Sequence, residues 1–62
     1  MNINELKEMN NSLITENQLE EIECSECVAN VENCGNSSQY VGATWFDVQL
    51  TDGSSIDVFV KY

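Results

Sequence analysis

The chain predicts an α+β fold, with one or two short N-terminal helices packed on a three-stranded antiparallel β-meander in the order α-β-β-β. Three observations carry that expectation. The stretch from Tyr40 to Tyr62 alternates apolar and polar residues on either side of Asp52-Gly53, as a hairpin does. Thr15-Glu16-Asn17-Gln18 reads as a capping box that opens a helix. Between them lies a segment with valines and a polar, glycine-containing end. It suits a third strand, without which a two-stranded hairpin is only marginally stable.

Residues 1–14 form an N-terminal arm or a short helix. Ile3, Leu6 and Leu13 fall on a roughly helical spacing, and Asn10-Asn11-Ser12 suits a break. Residues 15–62 form the helix plus the sheet. The helix should run from about Glu16 to about Cys24, with Leu19 and Ile22 on its apolar side. Ile14 and Leu19 stand where a hydrophobic staple would place them, and Glu16, Glu20 and Glu21 occupy the first turns, where the helix dipole favours acids.

From Cys24 to Cys34 two readings compete. Cys24, Cys27, Val28 and Val31 have helical spacing. Continuing the helix, however, would bring Glu20 and Glu23 into its apolar arc. The preferred reading is a strand over roughly Cys27 to Asn33, followed by a polar loop at Gly35–Gln39.

The hairpin register follows from face matching. A two-residue loop at Asp52-Gly53 would pair Val48 with Asp57 and mix charge with apolar side chains. A three-residue loop, Thr51-Asp52-Gly53, puts Gly53 in the left-handed position of a type I turn plus bulge. It pairs Leu50 with Ser54, Val48 with Ile56, Phe46 with Val58 and Thr44 with Val60. One face then collects Phe46, Val48, Leu50, Ile56, Val58 and Val60. Because a one-residue slip moves a whole apolar set to the other side, this register is preferred. The expected core is Leu19, Ile22, Val28 or Val31, and those six hairpin residues. The opposite face carries Trp45, Asp47, Gln49, Asp57, Phe59 and Lys61, and it sets Asp47 directly across from Asp57, an unfavourable like-charge pair.

Charge sets the class of partner. The 62 residues hold eleven acids, two lysines (Lys7 and Lys61), no arginine and no histidine, for a net charge of −9. Such a chain will not bind nucleic acid or an anionic membrane through its own charge. It is drawn to basic surfaces, which are often nucleic-acid sites. A domain this small buries only about 60% of its unfolded surface, so assembly with a partner, or into a homodimer, would stabilise it. With no apolar run of membrane-spanning length and no basic start followed by an apolar core, a cytoplasmic protein is expected.

Catalytic chemistry finds little support. Acids are plentiful, but general acid–base work needs a carboxylate in a pocket, and no phosphate-cradling glycine loop is present. No enzyme and no cofactor is expected. Cys24-Ser-Glu-Cys27 with Cys34 is the weak metal candidate. Zinc would need Glu23, Glu26 or Glu32 as a fourth ligand. The plainer reading is buried structural thiols.

Two sets of residues are candidates for partner binding. Glu16, Glu20 and Glu23 lie at i, i+4 and i+7 on one helix face, with Glu26 beyond them and Asp47 and Asp57 on the outer sheet face. Rows of acids at such spacing can imitate a phosphate track; the blander alternative is a solvated acidic face that keeps a small protein soluble. Trp45 and Phe59 are outer-face aromatics of the kind that anchor interfaces. The functional expectation is a small acidic inhibitor that occupies the basic nucleic-acid site of a larger protein. The alternatives are a regulatory or homodimerising module using Trp45, Phe59 and an exposed strand edge, and a small cysteine-based metal protein. In size and charge the chain resembles small phage and mobile-element proteins that disarm host defences, the anti-restriction and anti-CRISPR proteins. That resemblance implies a host defence complex as partner, in the host cytoplasm.

Overall fold

A computed structural model describes residues 2–61. Met1, at the start of the predicted arm, and Tyr62, at the end of the predicted hairpin, lie outside the described residues. In chain order the elements are α1 (Ile3–Glu8), β1 (Ser12–Ile14), α2 (Glu16–Glu23), β2 (Val28–Asn36), β3 (Ala43–Leu50) and β4 (Ser55–Lys61). The fold is α+β, as expected, with two short helices. The sheet is not a three-stranded antiparallel meander. It is a four-stranded mixed sheet of order β1-β4-β3-β2, in which β1 runs parallel to β4 and the other pairings are antiparallel.

The hairpin has the face-matched register. Val48 pairs with Ile56, Phe46 with Val58 and Thr44 with Val60. Gly53 has φ +91°, a conformation in which a Cβ is strained. The Gly53 N–H donates to the Leu50 carbonyl at 3.2 Å and the Leu50 N–H donates to the Ser54 carbonyl at 2.8 Å. Val48 and Val58 are fully buried, and Leu50, Ile56 and Val60 nearly so.

Both helices begin with a capping box. At α2 the Gln18 N–H donates to Thr15 Oγ1 (3.2 Å) and the Thr15 N–H donates to Gln18 Oε1 (2.9 Å). At α1 the Asn2 side chain and Glu5 make the same exchange, a signal that propensity reasoning on residues 1–14 passed over. The helix α2 stops at Cys24 and buries Ile22, with Leu19 against the core.

The third long strand is β2, so the strand reading of residues 27–33 holds. Its spacing puzzle resolves through a bulge. Val28 pairs with Leu50 and Val31 with Val48, while an extra residue between Val28 and Asn30 shifts the register. Residues three apart would face opposite sides of a regular strand; the bulge turns both valines inward. A second bulge lies between Asn33 and Gly35. Bulges twist an edge strand away from further pairing, and β2 is a sheet edge.

The N-terminal segment is part of the core rather than a loose arm. Leu6 is fully buried and Ile14 nearly so, in one cluster with Ile22 and the hairpin residues. A clip joins this segment to β4. The Asp57 N–H donates to Asn10 Oδ1 at 3.0 Å, and the Asn11 N–H donates to the Asp57 carbonyl at 2.7 Å. Asn11 sits at φ +63°, the left-handed region that asparagine tolerates better than most residues. From this turn Ser12, Leu13 and Ile14 pair with Val58, Phe59 and Val60. Lys7 of α1 adds an ion pair to Asp52 in the hairpin turn, 2.8 Å between Nζ and Oδ2.

Truncating Leu6 to alanine is therefore expected to destabilise the protein by about 2–5 kcal/mol, a large share of what a domain this small possesses. Chemical denaturation followed by circular dichroism measures it. A loss below about 1 kcal/mol would show that the N-terminal segment does not belong to the cooperative core.

Candidate functional site

The predicted partner-binding residues separate into two places on opposite sides of the sheet. On the helix-covered side, Glu16, Glu20 and Glu23 line a groove between α2 and the sheet. Its floor is apolar, formed by Leu19, Phe46 and Val60, and Lys61 stands on the rim. The volume is about 250 Å³. Along α2 the three carboxylates recur every 4.5–6 Å of axis, given the rise of about 1.5 Å per residue. Glu26 lies in the turn after α2 and does not join this groove.

On the outer face, Asp47 and Asp57 are directly paired, and Glu32 of β2 pairs with Asp47 from the other side. Three acids thus cross three strands in one row, at about 4.8 Å from strand to strand. Glu32 was not among the predicted partner-binding residues. The bulge after Val28 sets its phase, and an uninterrupted alternation cannot supply that phase. The like-charge contact expected at Asp47 and Asp57 is real, and Trp45 eases it. Its indole Nε1–H donates to Asp57 Oδ1 at 3.1 Å, and a hydrogen bond to an ionised acceptor is among the stronger kinds.

The two outer-face aromatics differ in access. Trp45 is 37% exposed, whereas Phe59 is only 5% exposed. Tyr40 covers Phe59, with ring centroids 4.9 Å apart and planes tilted by 55°. The Tyr40 hydroxyl donates to the Asn11 carbonyl at 3.1 Å, which anchors the 37–42 connection over the sheet. Phe59 is therefore not a surface contact, because a loop residue that the strand pattern cannot place has sealed it. A hollow of about 280 Å³ beside Trp45 is lined by Asp57, Cys34 and the loop from Ser37 to Gln39.

The cysteines are not the buried structural thiols expected. Cys24 and Cys34 are exposed, Cys27 is half-buried against the core, and all three are free. Cys24 falls at the C-cap of α2, and Cys34 lies in the second bulge of the edge strand. Cys27 and Cys34 stand roughly 20 Å apart along an extended strand, too far to ligate one ion. Among the described residues no three cysteine, aspartate or glutamate side chains are arranged to hold a metal.

Electrostatic compensation is sparse. Lys7–Asp52 is the one ion pair among the described residues. The Lys7 ammonium beside Asp52, together with the Ser54 hydroxyl and N–H, holds that carboxyl well below the usual carboxylate range. A depressed carboxyl contributes its full stabilisation above the ordinary carboxylate range and loses it progressively as pH falls from that range through the folded value. Asp52 lies at the surface, and salt screens what it contributes. No helix is long and apolar enough to cross a membrane among the described residues.

Two measurements test this description. The melting temperature is expected to rise as ionic strength goes from about 0.01 M to about 1 M, because the Debye length falls from roughly 30 to 3 Å and uncompensated repulsion is screened. A flat or falling melting temperature would show that the acids are internally balanced. In thiol titration with a chromogenic disulfide, Cys24 and Cys34 are expected to react at least about ten-fold faster than Cys27, whose access requires local opening.

The chain matches no protein-family model, no curated protein and no solved structure.

Proposed function

We propose that this protein is a small acidic inhibitor that binds the basic nucleic-acid site of a larger protein and blocks it by occupancy. The observation that supports the reading is the combination of order and isolation in its charge. Of eleven acids, one is ion-paired among the described residues, and six fall into two rows. The α2 row carries a charge every 4.5–6 Å of axis, somewhat sparser than the 3.4 Å per charge of one B-DNA strand. A solvated face that serves solubility alone needs neither alignment nor the near absence of bases.

The α2 row is the better partner face. It stands on a capped helix packed against the core, and among the described residues none of its carboxylates is ion-paired. The outer row is partly committed, since Asp57 accepts from Trp45. Because the rows face opposite sides, a flat basic surface meets one of them at a time.

A second reading rests on the exposed Trp45 beside the unpaired, though twice-bulged, edge of β2, which suits a docking module indifferent to charge. Homodimerisation through that edge would bring two chains of net charge −9 together, which works against it at low salt.

The discriminating experiment reverses Glu16, Glu20 and Glu23 to lysine and compares this variant with a control reversing Glu8, Glu21 and Glu26. Both change net charge equally, and all six positions are exposed. Each protein is used as bait for nucleic-acid-binding proteins from a bacterial lysate across a salt series. The α2 variant is expected to lose at least about ten-fold in retained partner while the control keeps most of it. Retention should fall steeply with salt and be competed by DNA or RNA. Equal loss in both variants, or salt-resistant binding lost on Trp45→Ala, would overturn the proposal, the latter in favour of the charge-indifferent module.

A further inference from the structure

Resting on the basic-partner reading above, the geometry points to one specific contact: the groove between α2 and the sheet receives an arginine side chain of the partner, its guanidinium among Glu16, Glu20 and Glu23 and its methylene stem on Leu19, Phe46 and Val60. The groove combines two chemistries that seldom meet on a merely solvated surface. Its floor is half-buried leucine and phenylalanine with nearly buried Val60, a continuation of the core that α2 leaves uncovered. Its wall is three carboxylates on one helix face. A long cationic side chain satisfies both, because its stem covers apolar surface while its head stays with charge.

The size and the charge favour a single cationic side chain. At about 250 Å³ the groove is smaller than the roughly 300–1,000 Å³ of typical small-molecule sites, and it suits one side chain. An anionic or neutral cofactor would meet three carboxylates with one ammonium in reach. A second copy of this chain has no arginine to insert, and its lysines are Lys7, engaged with Asp52, and Lys61, on the groove's own rim. Arginine is favoured over lysine because its planar, weakly hydrated guanidinium stacks on an aromatic face such as Phe46 and donates to several carboxylates at once. Lys61 also lines the groove, and its charge opposes an incoming cation.

The test uses the full chain and an octaarginine peptide at low salt, followed by NMR of the Leu19 and Val60 methyl groups and the Phe46 ring, with octalysine as comparison. Octaarginine is expected to shift these three side chains and to bind several-fold tighter than octalysine. The variant E16Q/E20Q/E23Q should weaken binding about ten-fold, while E26Q/E32Q/D47N, which removes as much charge elsewhere, should change it less than about two-fold. Lys61→Ser should tighten it. All these substitutions replace exposed or half-exposed side chains with near-isosteres or a smaller group, so folding is preserved and is checked on the same spectra. Equal weakening by the two glutamine sets, or binding without shifts at Leu19, Phe46 and Val60, overturns the groove and leaves the basic-partner reading standing. Failure of the wild-type chain to bind either peptide overturns both.

Discussion

The structure depends on the register of β3 against β4, and that register depends on a left-handed Gly53. A turn that takes in Thr51 from the β3 side, one residue more than a two-residue loop at Asp52-Gly53 would use, brings Val48 opposite Ile56 and Phe46 opposite Val58. Every other contact is built on the apolar face so formed. The inner face receives Leu6, Ile14 and Ile22 from the N-terminal half. The outer face receives whatever the same alternation leaves, including two aspartates directly across from one another. Slipping by one residue would bury those acids and expose the valines, an exchange of several kcal/mol per buried charge.

β4 is the strand through which the two halves of the chain communicate. It is bordered by β3 on one side and by the short parallel β1 on the other. The Asn10-Asn11 clip on the Asp57 backbone starts the β1 pairing and satisfies backbone groups that an edge strand would leave open. The result leaves the sheet with a three-residue edge at β1 and a twice-bulged edge at β2, both familiar defences against uncontrolled strand addition.

Charge and packing are arranged so that the cost of one does not undo the other. Among the described residues no charged side chain is buried. The acids occupy the helix faces, turns and outer sheet face, where water and salt moderate their repulsion. Where two of them are forced together by register, the Trp45 indole orients one. The acidic wall of the α2 groove lies beside apolar floor rather than within it. Stability thus rests on the buried residues of the central cluster, while the surface is left free to carry a strongly one-signed field.

The hairpin, its register, the α2 capping box and the excess of acid were legible in the residues, because each depends on neighbours or on side-chain alternation. Face assignment for Phe46, Val48, Leu50, Ile56, Val58 and Val60 followed from parity alone. What the sequence did not disclose are long-range pairings. Ser12–Ile14 is too short to signal a strand and becomes one only because β4 offers it a partner. The helical spacing of Val28 and Val31 concealed a bulge that exists only against β3. The sealing of Phe59 by Tyr40, and the assembly of Glu16, Glu20, Glu23, Phe46 and Val60 into one groove, join residues from distant parts of the chain. Local pattern determined which side chains seek burial and which remain in water; tertiary packing decided which surfaces meet, since non-local contacts leave no period in a sequence of 62 residues.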